Sequence, residues 1–223
     1  MPMPYAHLAL SQSCLRRLDV HDLNDFYLGA FMPDIRYFTK QPRTMYHFAL
    51  EKVDELARRG AVSEAFVLGY KTHLLLDQLW GKAELKQQYQ AAFPFFLRHR
   101  MSPRMLEVAL EVYCLDQDPI AVRLTAAENS MTQALGITSD VLAYAVSLLQ
   151  DYTDRRSIRA GLDIAETTGM YPPGRLTEMR RLSKVIESSR IVRFAVHTIV
   201  NRSSRHTYTR LVDGVLAQLG ATH

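Results

Sequence analysis

The sequence predicts an all-α protein folded as a single compact multi-helix domain over residues 1–223. Apolar residues recur at three- and four-residue spacing along almost the whole chain. Glycine and proline are sparse, with 10 and 9 copies in 223 residues, and long stretches pass without either. Chains built of many short strands need more turn residues than this. No segment alternates with period two for long enough to form a strand. Hydrophobic residues make up 48% and charged residues 22%, which places the chain among folded proteins rather than disordered ones. A chain of this length buries a sizeable core.

Taken in order, Tyr5 to Leu18 reads as a first helix, and His21 to Leu28 as a short second one ended by Gly29. A loop from Phe31 to Arg43 follows, with Pro33 and Pro42 as breakers. Thr44 to Arg59 reads as one helix that carries His47 in its middle and is stopped by Gly60, with basic residues in its last turn. Ser63 opens a longer helix through about Gln90, in which Gly69 permits close helix packing. Pro94, Pro103 and Pro119 punctuate shorter helices. Ser139 to Gln150, Arg155 to Thr168, Leu176 to Ile199 and Tyr208 to Leu219 complete the set, with Tyr171-Pro-Pro-Gly174 as a linker. Neither internal repeats nor low-complexity tracts are present. Trp80 and the run Phe93, Phe95 and Phe96 read as core aromatics, with a pocket wall as the alternative.

Net charge is +4 but unevenly placed. Residues 151–223 hold 12 Arg and Lys against 7 Asp and Glu, whereas residues 1–150 hold 15 against 16. The basic part fits a solvated helix face, with an anionic substrate or a nucleic acid as the alternative partner. Cys14 and Cys114 form no CxxC pair and read as buried, reduced side chains. No apolar run reaches ~18 residues, and no charged segment followed by an apolar stretch opens the sequence. The expectation is a cytoplasmic protein without a transmembrane segment.

Chemistry concentrates in residues 1–90, with 91–223 as the helical remainder. Four of the eight histidines fall within the first 73 residues. The strongest local pattern is His73-Leu-Leu-Leu-Asp77. Positions four apart share a helix face, so an imidazole and a carboxylate there either converge on one ion or form a hydrogen-bonded pair. The surrounding leucines bury the pair, and a buried carboxylate needs compensation. His47 lies between Tyr46 and Phe48, Asp34 sits in the apolar stretch Phe31-Met-Pro-Asp34-Ile, and His7 stands among Leu8, Ala9 and Leu10. Nitrogen and carboxylate ligands of this kind suit zinc, with manganese or iron as alternatives. His21 reads as a surface residue at a helix start or as an extra ligand. Arg98-His99-Arg100 reads as an exposed basic segment, and Tyr27, Tyr37 and Tyr46 flank the candidate ligands.

The order His7…Gly29-Ala-Phe-Met-Pro33-Asp34…His47…Gly69-Tyr-Lys-Thr-His73-Leu-Leu-Leu-Asp77 resembles the zinc-dependent phospholipase C superfamily, which includes fungal single-strand nucleases. The resemblance spans about residues 5–80. It implies that fold, one metal site made by Asp34, His47, His73 and Asp77, and a second ion served by His7 with the shared Asp77. The chain departs from the pattern in two places. Its start, Met1-Pro2-Met3-Pro4, differs from the processed tryptophan whose amino group ligates metal in the secreted enzymes, and the downstream His…His-x-x-x-Glu ligand set is missing. One or two ions are therefore expected.

Three functions follow as alternatives. The first is a metal-dependent hydrolase of a phosphoester or related small anionic substrate, with Asp34 as a ligand that doubles as general base. The second is a related fold recruited to metal-assisted cyclisation or lyase chemistry in small-molecule biosynthesis. The third is a non-enzymatic helical module whose His–Asp pairs are structural.

Overall fold

A computed structural model describes residues 4–40, 42–117, 119–120, 124–125, 130–187 and 190–221, and these contain helices and turns but no strand. The helices are α1 (Pro4–Leu15), α2 (Leu23–Phe31), α3 (Arg36–Thr39), α4 (Arg43–Tyr46), α5 (Leu50–Arg58), α6 (Glu64–Gly81) and α7 (Ala83–Ala91). They continue as α8 (Phe95–Arg98), α9 (Pro103–Leu115), α10 (Ser130–Leu135), α11 (Ser139–Arg155), α12 (Ile158–Thr168), α13 (Pro173–Glu187) and α14 (Arg190–Leu219). A 3-10 turn, Met32–Asp34, joins α2 to α3. No helix among the described residues is long and apolar enough to cross a membrane.

Hydroxyl and carboxylate caps set the starts of α2, α6, α9, α11 and α12, because the first turn of a helix carries N–H groups without intrahelical partners. Asp22 accepts from Asp25 N–H, Ser63 from Phe66, Ser102 from Met105, Thr138 from Val141 and Ser157 from Ala160. Pro103 then occupies the first turn of α9, where a missing N–H costs nothing.

The structure corrects several sequence-based boundaries. Gly29 does not end α2, which runs on to Phe31. Instead Gly29 and Gly69 form the crossing of α2 with α6, the most extensive helix pair of the fold. A Cβ on Gly29 would lie 2.0 Å from the Phe66 carbonyl oxygen, and one on Gly69 would lie 1.9 Å from that of Phe26. The two backbones touch, so neither position admits a side chain.

The Phe31–Arg43 stretch holds short helical turns rather than open loop. The helix expected over Thr44–Arg59 is broken: residues 47–49 separate α4 from α5, and His47 sits in the break. Lys82 divides the expected Ser63–Gln90 helix into α6 and α7. Helix α11 extends to Arg155, and the left-handed Arg156 turns the chain into α12. The expected linker contains the start of α13 at Pro173. No break separates Ile199 from Tyr208, where α14 is continuous; no glycine or proline stands between them to stop it.

The core is one cluster that draws on residues from Tyr5 to Leu216, and a small satellite gathers Leu162, Ala165 and Leu176. Helix α1 lies at its centre, against α2, α6, α9 and α14. Cys14, Cys114, Trp80 and Phe93 are buried as expected, but Phe95 and Phe96 are 73% and 68% exposed. The four-residue α8 follows Pro94 at the surface, where it meets α7 but leaves both rings largely uncovered.

Candidate metal centre

Five chemistry-bearing side chains arrive from four places. Helix α1 brings His7, the 3-10 turn brings Asp34, the α4–α5 break brings His47, and α6 brings His73 and Asp77. The last pair lies one turn apart on one face. Asp77 stands at the middle. Its Oδ1 lies 3.2 Å from His7 Nε2, and its Oδ2 lies 3.0 Å from His47 Nε2 and 3.9 Å from His73 Nε2. His7 turns its other nitrogen toward Asp34, with Nδ1 3.5 Å from Oδ2 in a geometry that makes no hydrogen bond. The His7 and His73 rings stack at 4.0 Å between centroids, and His47 meets His73 edge-on at 5.5 Å.

The tightest group is His7, His73 and Asp77, which each offer one ligand atom within 4.8 Å of one another. Asp34 and His47 flank it, joined through His7 and Asp77. His7 thus stands in one cluster with His73 and Asp77.

Each side chain is aimed by the backbone near it. His47 is placed by Tyr70, whose hydroxyl accepts the Phe48 N–H at 3.0 Å and donates to the Tyr46 carbonyl. A side chain from α6 thereby satisfies the two backbone groups on either side of His47, and the helix cannot continue through it. His7 is placed by Glu111 of α9, whose carboxylate accepts the first-turn N–H groups of Tyr5 at 3.2 Å and Ala6 at 2.8 Å. The Tyr152 hydroxyl donates to the same carboxylate.

His73 Nδ1 lies 2.7 Å from the Ala30 carbonyl oxygen. Only an N–H can face a carbonyl, so Nδ1 carries the proton. Burial, the largest influence, holds the His73 pKa well below its ordinary value. The ring is therefore neutral, and Nε2 presents a bare lone pair to the cluster. His73 Nε2, His7 Nδ1 and Asp34 Oδ1 are buried and have no hydrogen-bond partner among the described residues. Orphaned polar atoms are costly in a protein interior. An open Nε2 on His73 within the His7–His73–Asp77 group fits a divalent cation, which accepts lone pairs from nitrogen and oxygen alike.

The carboxylates divide in character. Burial drives the Asp34 pKa up to about 6 against the opposing pull of His7. Burial also acts on Asp77, but hydrogen bonds from His47 and His7 outweigh it and hold that carboxyl far below the usual range. His7 shows the complementary effect: burial would lower its pKa, and the Asp77 hydrogen bond and charge raise it.

Comparison with protein families, characterised proteins and solved structures finds no match to this chain.

The remaining histidines stand elsewhere. His21 is almost fully exposed, 4.0 Å from Asp19, and is no ligand to this cluster. His99 packs on the Phe95 ring, and His197 pairs with Asp116 at 2.7 Å. His206 is exposed, and His223 lies outside the described residues. Of the flanking tyrosines, Tyr27 is a core residue hydrogen-bonded to Gln12, and Tyr46 is buried beside the break. Tyr37 lies close enough for Asp34 and Asp77 to act on its phenol, which burial has already pushed up to about 12. The Arg36 guanidinium covers the Tyr37 ring at 4.4 Å and bonds its hydroxyl at 2.5 Å.

Glu111 went unnoticed in the sequence. Its signal was present: Glu107 and Glu111 stand four apart in the apolar stretch Met105-Leu-Glu-Val-Ala-Leu-Glu-Val, where carboxylates have no solvent reason to be.

Proposed function

We propose that the chain is a metal-dependent hydrolase acting on a phosphoester or related small anionic substrate, with zinc as the ion its donors suit. The observation that carries this reading is the fixed tautomer of His73, whose unpartnered Nε2 faces Asp77 within the His7–His73–Asp77 group. A buried imidazole nitrogen is ordinarily hydrogen-bonded, so one left open among carboxylates favours a ligand there. The ligand order along the chain, which resembles the zinc-dependent phospholipase C superfamily, supports the same reading.

His7, His73 and Asp77 would hold the ion, with Asp34 and His47 completing its surroundings. A bound divalent ion supplies Lewis acidity and makes a water acidic enough to ionise near pH ~7. Asp34 is the candidate proton acceptor, because its buried carboxylate keeps an oxygen without a protein partner. Asp77, held ionised, is the fixed anion that keeps His7 and His47 in place. Arg36, two residues after Asp34, brings a guanidinium near the carboxylates and suits an anionic substrate.

The test is hydrolysis of bis(p-nitrophenyl) phosphate by zinc-loaded and chelator-treated protein. The expected result is zinc-dependent release of p-nitrophenol that falls at least ~100-fold in Asp34→Asn. Zinc binding without hydrolysis of any phosphoester would shift the assignment to a second reading, metal-assisted cyclisation or lyase chemistry. The placement of His99, His197 and His206 away from the centre favours that alternative, because it leaves a smaller ligand set than a full multi-metal hydrolase uses.

A further inference from the structure

A second feature lies outside the cluster, at the surface turn that α8 builds between α7 and α9. Phe95 and Phe96 stand there largely exposed, although the turn that carries them is firmly tied down. The Gln90 amide of α7 donates to the carbonyls of Arg98 at 2.8 Å and Met101 at 3.1 Å, and the Pro94 carbonyl accepts the N–H groups of Leu97 and Arg98. His99 meets the Phe95 ring edge-on at 5.2 Å without covering it. Consecutive helix residues point about 100° apart, so the two rings leave the surface in different directions. A protein groove that closes on one ring leaves the other at its rim, and a stacked base covers one ring face. A fluid hydrocarbon layer closes around both.

The charges beside the rings have one sign. Between Glu84 and Glu107 the chain carries Lys86, Arg98, Arg100 and Arg104 and no acidic residue. Glu107 neutralises Arg104 at 2.6 Å, Lys82 offsets Glu84, and Arg175 and Glu178 of the adjoining α13 cancel. Lys86, Arg98 and Arg100 remain, with no carboxylate within 4.0 Å among the described residues. Arg98 reaches only the neutral Phe93 carbonyl, at 3.4 Å, and Arg100 is exposed. Lys86 lies one turn before Gln90, on the face of α7 that holds α8. An aromatic tip flanked by cations matches the boundary between the hydrocarbon of a bilayer and its anionic headgroups.

We propose that α8 docks the protein on an anionic phospholipid membrane surface, with the Phe95 and Phe96 rings at the edge of the hydrocarbon and Lys86, Arg98 and Arg100 against lipid phosphates. The contact is peripheral: two rings enter the boundary and the chain does not cross it. The docking surface shares no residue with the metal centre.

The experiment is flotation of full-length, chelator-treated protein with two kinds of vesicle, phosphatidylcholine alone and phosphatidylcholine with about one third phosphatidylglycerol. Binding is expected on the anionic vesicles and should weaken in high salt. Phe95→Ser and Phe96→Ser should each lower the affinity at least ~tenfold, and Arg100→Gln about fivefold, with unchanged helical circular dichroism. The one natural tryptophan, Trp80, is buried, so Phe96→Trp adds a reporter at the tip. Its emission should shift to the blue on anionic vesicles and be quenched by brominated acyl chains. Absence of vesicle binding overturns the proposal, as does equal binding to phosphatidylcholine alone. Serine variants that bind as tightly as wild type also overturn it, since adhesion of the basic face of α14 would give that result. Loss in the serine variants of self-association or of oligothymidine binding, with vesicles ignored, assigns the rings to a second copy or to nucleic acid instead. The protein is metal-free throughout, so the outcome is independent of whether the His–Asp centre binds zinc.

Discussion

The Tyr70 hydroxyl occupies the backbone gap in which His47 sits, taking the Phe48 N–H at 3.0 Å from a position 22 residues further along the chain. That contact turns an otherwise helical stretch into a bend, and the bend delivers an imidazole to Asp77. Tyr70→Phe should leave two buried backbone groups without partners. The expected cost is ~1–3 kcal/mol in denaturant unfolding. Zinc affinity should also fall about 10- to 100-fold, as for other lost outer-shell supports.

Asp34 and Asp77 should respond oppositely to neutralisation in metal-free protein. Asp77 is compensated by His7 and His47, so Asp77→Asn removes two charge-assisted contacts and should destabilise by about 1–3 kcal/mol. Asp34 has a buried oxygen without a partner and a pKa pushed up to about 6. Asp34→Asn should leave the metal-free melting temperature unchanged or raise it at pH 7, because it removes a poorly compensated charge. A loss at Asp34 as large as that at Asp77 would contradict the division.

Two raised carboxyl pKa values fix a pH dependence. Burial pushes Asp34 up to about 6 and Glu111 up to about 7, so between their unfolded and folded values the native state binds more protons than the unfolded chain. Their contribution to stability therefore falls as pH rises, from about 4 to about 6 for Asp34 and from about 4.5 to about 7 for Glu111. Measured as wild type minus variant at each pH, the difference should decline across those windows for Asp34→Asn and Glu111→Gln. A difference that grows with pH would reverse the assignment.

Gly29→Ala places a methyl group 2.0 Å from the Phe66 carbonyl oxygen, against backbone that cannot yield. Prising α2 from α6 should cost about 3 kcal/mol or more. Zinc affinity should fall with it, since Ala30 and Asp34 ride on the displaced segment. Gly81→Ala, where a Cβ meets nothing within 4 Å, is the control and should be nearly neutral.

Local signals were legible and distant ones were not. The His73–Asp77 spacing, the glycine at the α6 crossing and the serine that opens α6 are written within a few residues of where they act. The break at His47 is made by Tyr70, and the ordering of His7 by Glu111 of α9, 105 and 106 residues from the N–H groups it caps. Helical periodicity runs straight through the first and cannot register the second. The exposure of Phe95 and Phe96 was hidden for a related reason. Hydrophobicity states that a ring favours burial, and only the placement of a short α8 at the surface decides that these two stay largely exposed.

The proposed ion at the His7–His73–Asp77 cluster, with His73 Nε2 among its ligands, is tested most directly by metal content. Plasma mass spectrometry, after equilibration with zinc and gel filtration, compares wild type with His73→Gln. The expected result is at least one zinc per wild-type chain and its loss in the variant while helical circular dichroism is retained. Wild-type protein that emerges without zinc, or a variant that holds as much as wild type, would contradict it.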